Sequence, residues 1–244
     1  MILAMLQARM SSTRLPGKVL EPILDKPLIL RAIERIARAS SLDGLVLATS
    51  VDPSDDPLAE IAERAGVTVR RGSLEDVLGR YLQVVDEMQP EMVVRLTGDN
   101  PLTDPDVIDL VVAEHRRAGA EYTSNTVNRT FPRGLDVEVV SAAALREVGR
   151  IATDPSEREH VTMGIYRRPE LFDVHQVLQH PDRSQLRWTV DMLADLTFAR
   201  EVYAELFPGN PRFGQAEVLA LLERRPDLNR TEALAHAEGG GHPA

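Results

Sequence analysis

The chain has 244 residues, a net charge of −10, 43% hydrophobic residues, few aromatics and no cysteine. This length suits one large domain with a short extension, and Leu, Val, Ile and Ala must fill its core. The acidic balance excludes a general nucleic-acid binder, which needs a basic face. The missing cysteines exclude disulfides and thiolate metal sites.

No apolar run is long enough to span a membrane, and the N-terminus lacks a signal-peptide layout, so a cytoplasmic protein is expected. The first element is the run Ile2–Leu6, which fits a strand buried on both faces. A polar loop follows, with Arg9, Arg14 and Lys18 interleaved with Ser11, Ser12 and Thr13. At the carboxyl end of a parallel strand such a loop suits an anionic ligand: cations neutralise phosphate oxygens, and hydroxyls and backbone N–H groups donate the other hydrogen bonds. A solvated polar turn has the same composition. Ser12 and Val19 break the P-loop spacing, and no Gly-x-Gly-x-x-Gly follows the strand, so a dinucleotide fold is disfavoured.

Apolar positions in 28–39 recur at helical period, and Leu45–Thr49 is a second buried strand. Asp56 is placed to cap the next helix, which carries Leu58, Ile61, Ala62 and Ala65 and ends at Gly66. Val67–Val69 is a third strand. The loop from Arg70 to Arg80 then leads into an amphipathic helix with Leu78, Leu82, Val85 and Met88. Its charges Glu75, Asp76 and Arg80 fit a helix start equally well.

Met92–Leu96 is the fourth strand and runs into Thr97-Gly98-Asp99-Asn100-Pro101. Asp99 thus falls at the carboxyl edge of the sheet, where α/β folds hold ligands; an Asx turn is the competing reading. Asp104-Pro105 starts a helix ending near Gly119. After the short strand Tyr122–Ser124 comes a polar connection with Arg129 and Arg133. Leu135–Val139, with Asp136 and Glu138, alternates as a half-exposed strand should. These charges suit either a binding arm or a solvated one. Ser141 is placed to cap the helix that follows.

A helical stretch from Glu157 to Tyr166 carries Glu159-His160. No second His stands four residues on, so it is not a zinc motif, and a lone His is commonly structural. Val174–Leu178 and Leu186–Val190 read as strands. Asp191 then precedes the helix 192–206, whose N-cap it could be, with Asp195 one turn further. Gln215–Arg224 is a last helix, and from Ala235 a Gly-rich tail is expected to be disordered. Strands alternating with helices imply a three-layer αβα fold with a mainly parallel sheet.

Gln7-Ala8-Arg9-Met10-Ser11-Ser12-Thr13-Arg14-Leu15-Pro16-Gly17-Lys18 resembles the signature of the sugar-activating cytidylyltransferases, the acylneuraminate and KDO enzymes. The nearest branch is the spore-coat polysaccharide biosynthesis protein F family. Gly98-Asp99-Asn100-Pro101, Glu159-His160-Val161-Thr162 and the Asp191 segment extend the likeness over nearly the whole chain. The resemblance implies a nucleotide-diphospho-sugar-transferase-like fold in one domain, 1–234, with 125–185 as an acceptor and dimerisation arm. It makes Arg9, Arg14, Lys18 and Asp99 catalytic. It places the nucleotide on Gln7, Ala8, Arg9, Ser11, Ser12, Arg14 and Lys18, and the base near Ser73, Asp76, Leu78 and Arg80. It puts Mg²⁺ on Asp99 and Asp191, an arrangement that suits an ion preferring one or two carboxylates plus phosphate oxygens and water. It sets an acidic acceptor against Arg129, Arg133, Asp136, Glu138, Glu159 and His160. The implied reaction joins CTP and an acidic sugar, releasing pyrophosphate, in a homodimer. A glycosyltransferase of similar sheet architecture is one rival, although residue 101 is Pro and no Asp-x-Asp motif forms. A non-catalytic nucleotide-binding subunit is another.

Overall fold

The computed structural model describes residues 1–238. The strands are β1 (Ile2–Gln7), β2 (Pro22–Ile23), β3 (Lys26–Pro27), β4 (Gly44–Ser50), β5 (Thr68–Gly72), β6 (Met92–Thr97), β7 (Tyr122–Ser124), β8 (Glu138–Ser141) and β9 (Val174–Gln176). The α-helices are α1 (Leu28–Ile36), α2 (Asp56–Arg64), α3 (Val77–Met88), α4 (Pro105–Ala118), α5 (Ala142–Ile151), α6 (Pro155–Glu159), α7 (Met163–Tyr166), α8 (Leu193–Leu206), α9 (Gln215–Arg224) and α10 (Glu232–Glu238). Among the described residues no helix is long and apolar enough to cross a membrane.

One seven-stranded sheet runs β5-β4-β1-β6-β8-β7-β9. Within it β8 alone is antiparallel to its neighbours; β2 and β3 form a separate hairpin. The run Ile2–Leu6 is buried throughout, as an interior parallel strand must be. Its alternate residues feed opposite faces. Ile2, Ala4 and Leu6 join a core with α1, α4, α8 and α9. Leu3 and Met5 join a second core with α3 and α5. The result is the expected three-layer α/β architecture. Helix caps follow the sequence at Asp104, which accepts from the Asp106 N–H at 2.9 Å, and at Ser141, which accepts from Ala144 at 3.1 Å.

Several boundaries depart from the pattern reading, each for a physical reason. The third strand extends to Gly72, because β5 pairs with β4 along its whole length. Asp56 caps nothing: a short 3₁₀ turn, capped by Asp52, precedes α2, and Asp56 instead pairs with Arg71 at 2.6 Å. The Glu157–Tyr166 stretch breaks into α6 and α7 at Val161, whose φ of 51° is rare for a β-branched residue. Leu135–Val137 is not strand; Leu135 and Val137 enter the core and only Glu138–Ser141 joins the sheet. Glu138 is buried rather than half-exposed, because Arg95 pairs with it. Residues 235–238 continue α10 instead of starting a tail, and Ala235 is buried. The remainder of that expected tail, 239–244, lies outside the described residues.

The most consequential departure is Leu186–Val190, which is extended but belongs to no sheet. It crosses beside the 130s loop, where Trp188 N–H donates to Arg133 O at 2.6 Å, and ends where Val190 N–H donates to Asp99 O at 2.9 Å. Gly134 permits the crossing. Its φ is +109°, and a Cβ there would lie 2.6 Å from backbone atoms of Trp188 and Thr189. Backbone cannot yield as a side-chain tip can. Gly134→Ala is therefore expected to destabilise the fold by about 2–4 kcal/mol. In a domain of this size that is a melting temperature lower by roughly 5–15 °C. An unchanged melting curve would mean that the crossing segment shifts freely.

Candidate active site

The order of β4, β1 and β6 creates a crevice at their carboxyl ends, because the chain leaves β1 toward β4 and β5 and then returns to the other side of β1 as β6. The loops after β1 and β6 meet there. Gly98 N–H donates to Gln7 O at 2.8 Å, and a Cβ on Gly98 would come within 2.7 Å of the Ala8 Cβ. Only a residue without a side chain lets the two strand ends press together, and that contact sets Asp99 opposite the basic loop. The loop itself is tied down by Asp55, wholly buried. This carboxylate accepts from Met10 N–H at 2.7 Å and from the Thr49 hydroxyl and Ser50 N–H, each at 3.1 Å.

Asp191 arrives from the far end of the chain. Trp188, fully buried, anchors the crossing segment. Asp195, not Asp191, caps α8: its carboxylate accepts from the backbone N–H groups of Asp191 and Met192, both at 3.0 Å. Asp195 is itself buried and paired with Arg187 and Arg230. This clamp leaves the Asp191 side chain free to face the cleft.

Lys18 joins the two acids. Its buried ammonium donates to Asp99 Oδ2 at 3.0 Å, Asp191 Oδ1 at 2.9 Å and Val190 O at 2.7 Å. Asp191 Oδ2 also accepts from Arg187 at 2.6 Å and lies 3.0 Å from Arg14, while Asp99 Oδ1 accepts from the Thr97 hydroxyl at 2.7 Å. Burial would raise the Asp191 carboxyl, but Lys18, Arg187 and Arg14 outweigh it and hold its pKa down at about 2. Burial would lower Lys18, and the facing carboxylates Asp99 and Asp191 outweigh that and raise it. Two carboxylates converging beside cationic side chains form an all-oxygen donor set that fits Mg²⁺, with phosphate and water oxygens completing its shell.

Arg14, Lys18, Thr97, Asp99 and Asp191 line a cleft of ≈ 370 Å³ together with Gln7, Ala8, Arg9, Ser12, Arg80 and His160. Arg9 reaches across it toward Glu159 at 3.5 Å. Four of the residues expected around the nucleotide are not on its walls. Ser11 is exposed at the loop tip, and Leu78 is core. Asp76 caps α3 through Gly79 N–H at 2.8 Å and pairs with Arg158 at 2.7 Å. Ser73 contributes its carbonyl to Arg80, whose buried guanidinium also binds Leu74 O at 3.1 Å. The 73–80 loop is thereby shaped from within by Arg80.

A second cavity of ≈ 520 Å³ holds Arg129, Arg133, Asp136, Glu138 and His160 and shares Thr97 and His160 with the first. Arg129 grips Asp136 with two hydrogen bonds, at 2.5 and 2.9 Å. Glu138 is a buried anchor bound by Arg95, Tyr122 and Thr162. Burial would raise its carboxyl, but Arg95, with the Thr162 and Tyr122 hydroxyls, lowers it. Arg133 pairs with Glu232 at 2.8 Å and is 46% exposed. Glu159, expected here, lines the first cleft instead. Asp55, Arg187 and Arg95 stand outside every motif of the sequence. Arg95 had a signal, a lone charge in the apolar run Met92–Leu96; the other two act through folded contacts that no spacing announces.

Residues 3–206 match the family described as Cytidylyltransferase. This chain belongs to the cytidylyltransferase family. It is an enzyme of the nucleotidyltransferase type and is 38% identical to the spore coat polysaccharide biosynthesis protein SpsF of Bacillus subtilis, over 93% of this chain and 95% of that protein. A 3-deoxy-manno-octulosonate cytidylyltransferase of Syntrophotalea carbinolica is 35% identical over 70% of this chain and 74% of its own. Among solved structures, a cytidylyltransferase from Leptospira borgpetersenii superposes with a TM-score of 0.88 at 30% identity, covering 93% of this chain and 95% of that one. The CMP:2-keto-3-deoxy-manno-octonic acid synthetase complexed with CTP shares the fold at a TM-score of 0.63 and 16% identity, covering 84% and 98%.

Because the carboxyl of Asp191 is lowered by folding, its charge stabilises the protein above its unfolded pKa, near 4. That contribution is lost as pH falls toward about 2. Asp191→Asn is expected to be less stable than the wild type by about 2 kcal/mol near neutral pH, with the gap narrowing below about pH 4. Urea denaturation across that range checks it. A gap independent of pH would contradict the pairing.

Proposed function

We propose that this enzyme transfers a cytidylyl group from CTP to a hydroxyl of an acidic sugar, forming a CMP-conjugate and releasing pyrophosphate, as a cytoplasmic homodimer serving polysaccharide biosynthesis. The observation that carries the reading is the meeting of Asp99 and Asp191 on Lys18 at the sheet's carboxyl edge. The acceptor hydroxyl oxygen attacks the α-phosphorus and gives up its proton to water, while the bond from the α-phosphorus to the bridging oxygen breaks and that oxygen leaves with pyrophosphate. Arg9, Arg14 and Lys18, on one loop, neutralise the triphosphate and the charge that builds on the leaving pyrophosphate. Asp99 and Asp191 would hold Mg²⁺, which when bound polarises the α-phosphate. The Arg80-braced loop borders the base, and the relatives' names, together with the neighbour's CTP complex, favour cytosine.

The adjoining cavity supports the acceptor assignment. It shares Thr97 and His160 with the nucleotide cleft, so an acceptor hydroxyl held there would lie close to the α-phosphate. Arg133, half-exposed there, is a cation for a sugar carboxylate. Asp136, held in place by Arg129, can accept from sugar hydroxyls. Reactants held in two joined sites gain most of their rate from orientation, and no covalent enzyme intermediate is required.

Pyrophosphate release from CTP, UTP, ATP and GTP with a panel of acidic sugars tests this. Turnover is expected with CTP and an acidic acceptor, and Asp99→Asn is expected to lower kcat by about 10²-fold or more. Turnover with UTP but not CTP would defeat the cytidylyl assignment.

A further inference from the structure

We propose that Lys18 is a placeholder for the divalent cation: without nucleotide its ammonium holds Asp99 and Asp191 together, and a metal ion gains those carboxylates only once a polyphosphate draws the ammonium away. The inference rests on the cytidylyltransferase reading but concerns a state in which no nucleotide is bound. An ammonium has three N–H donors. Here all three have acceptors within 3.0 Å: Asp99 Oδ2, Asp191 Oδ1 and Val190 O. Nothing in this arrangement is left over for a ligand, so Lys18 is not waiting in the cleft with a free charge. It is fully committed to the two acids.

The commitment has a reason. Two carboxylates brought together at a partly buried site repel each other unless a cation stands between them. Arg14 and Arg187 both lie on Asp191 Oδ2. Lys18 is the cation that reaches both acids. A Mg²⁺ ion needs the same oxygens at about 2.1 Å. An ammonium and a dication that close to one another repel strongly, so one excludes the other. Lys18 can leave without moving the backbone: its four-carbon stem is flexible, and it belongs to the loop that carries Arg9 and Arg14. Polyphosphate oxygens on that loop replace the acceptors it gives up. Nucleotide and metal binding are then positively coupled, and by linkage each tightens the other.

Nucleotide-free Mn²⁺ titration, followed by the electron paramagnetic resonance of the free ion, tests the proposal on the wild type, Lys18→Met and Lys18→Met/Asp99→Asn. The wild type is expected to show no Asp99-dependent site of its own in the micromolar range. Lys18→Met is expected to bind one Mn²⁺ at least about tenfold more tightly than the wild type, and Asp99→Asn to abolish that gain. Lys18→Gln serves as the neutral replacement if the Met variant does not fold. Overturning results are a wild type that binds Mn²⁺ through Asp99 as tightly as the lysine variants, or folded lysine variants with no gain. Since no nucleotide is present, the outcome is independent of whether CTP is the donor. A failed CTP screen with tightened Mn²⁺ binding would sink the donor assignment and leave this inference standing.

Discussion

One ammonium ion organises the carboxyl edge of the sheet in this protein. Lys18 gathers Asp99, Val190 and Asp191 around a single nitrogen, and these groups lie 81, 172 and 173 residues away along the chain. A buried lysine with this set of partners demands that three separate segments be placed to within the reach of a hydrogen bond. Much of the surrounding architecture can be understood as meeting that demand. Asp55 fixes the loop that carries Lys18. Gly98 lets the loop after β6 close on the end of β1. Asp195, Trp188 and Gly134 steer the crossing segment so that Asp191 arrives from the other side.

The electrostatics explain why the site is stable although it crowds charge. Asp191 is desolvated, which alone would favour its neutral form, yet it has cations on both oxygens. Pairing recurs at the second cavity, where Glu138 is buried against Arg95 and two hydroxyls, and half-buried Asp136 is held by Arg129. Buried charges are tolerated where they are paired and hydrogen-bonded. Both cavities therefore carry preorganised polar groups in their walls, as electrostatic stabilisation of a phosphoryl transfer requires.

Much of this was legible in the chain itself. The apolar run Ile2–Leu6 announced a strand with a basic loop behind it, and Gly98-Asp99 announced an acid at the sheet edge, because these signals are local. Asp191 was legible as important but not as placed. Its segment looked like a strand, whereas it is an extended crossing held by single backbone contacts, and the cap of α8 is Asp195 rather than Asp191. Arg187 and Asp55 were invisible, since their roles come from tertiary partners that sequence spacing does not encode. The alternation of Leu135–Val139 misled for a related reason: Glu138 faces inward because Arg95, distant in sequence, neutralises it.

Asp99 and Asp191 must act as one unit for this site to work. The most direct measurement is a double-mutant cycle on kcat/KM for pyrophosphate release, with Asp99→Asn, Asp191→Asn and the double variant. If the acids share one cation, removing the second after the first costs little more, and the double variant falls near the worse single variant. Losses that simply multiply would show two independent carboxylates and contradict the shared site.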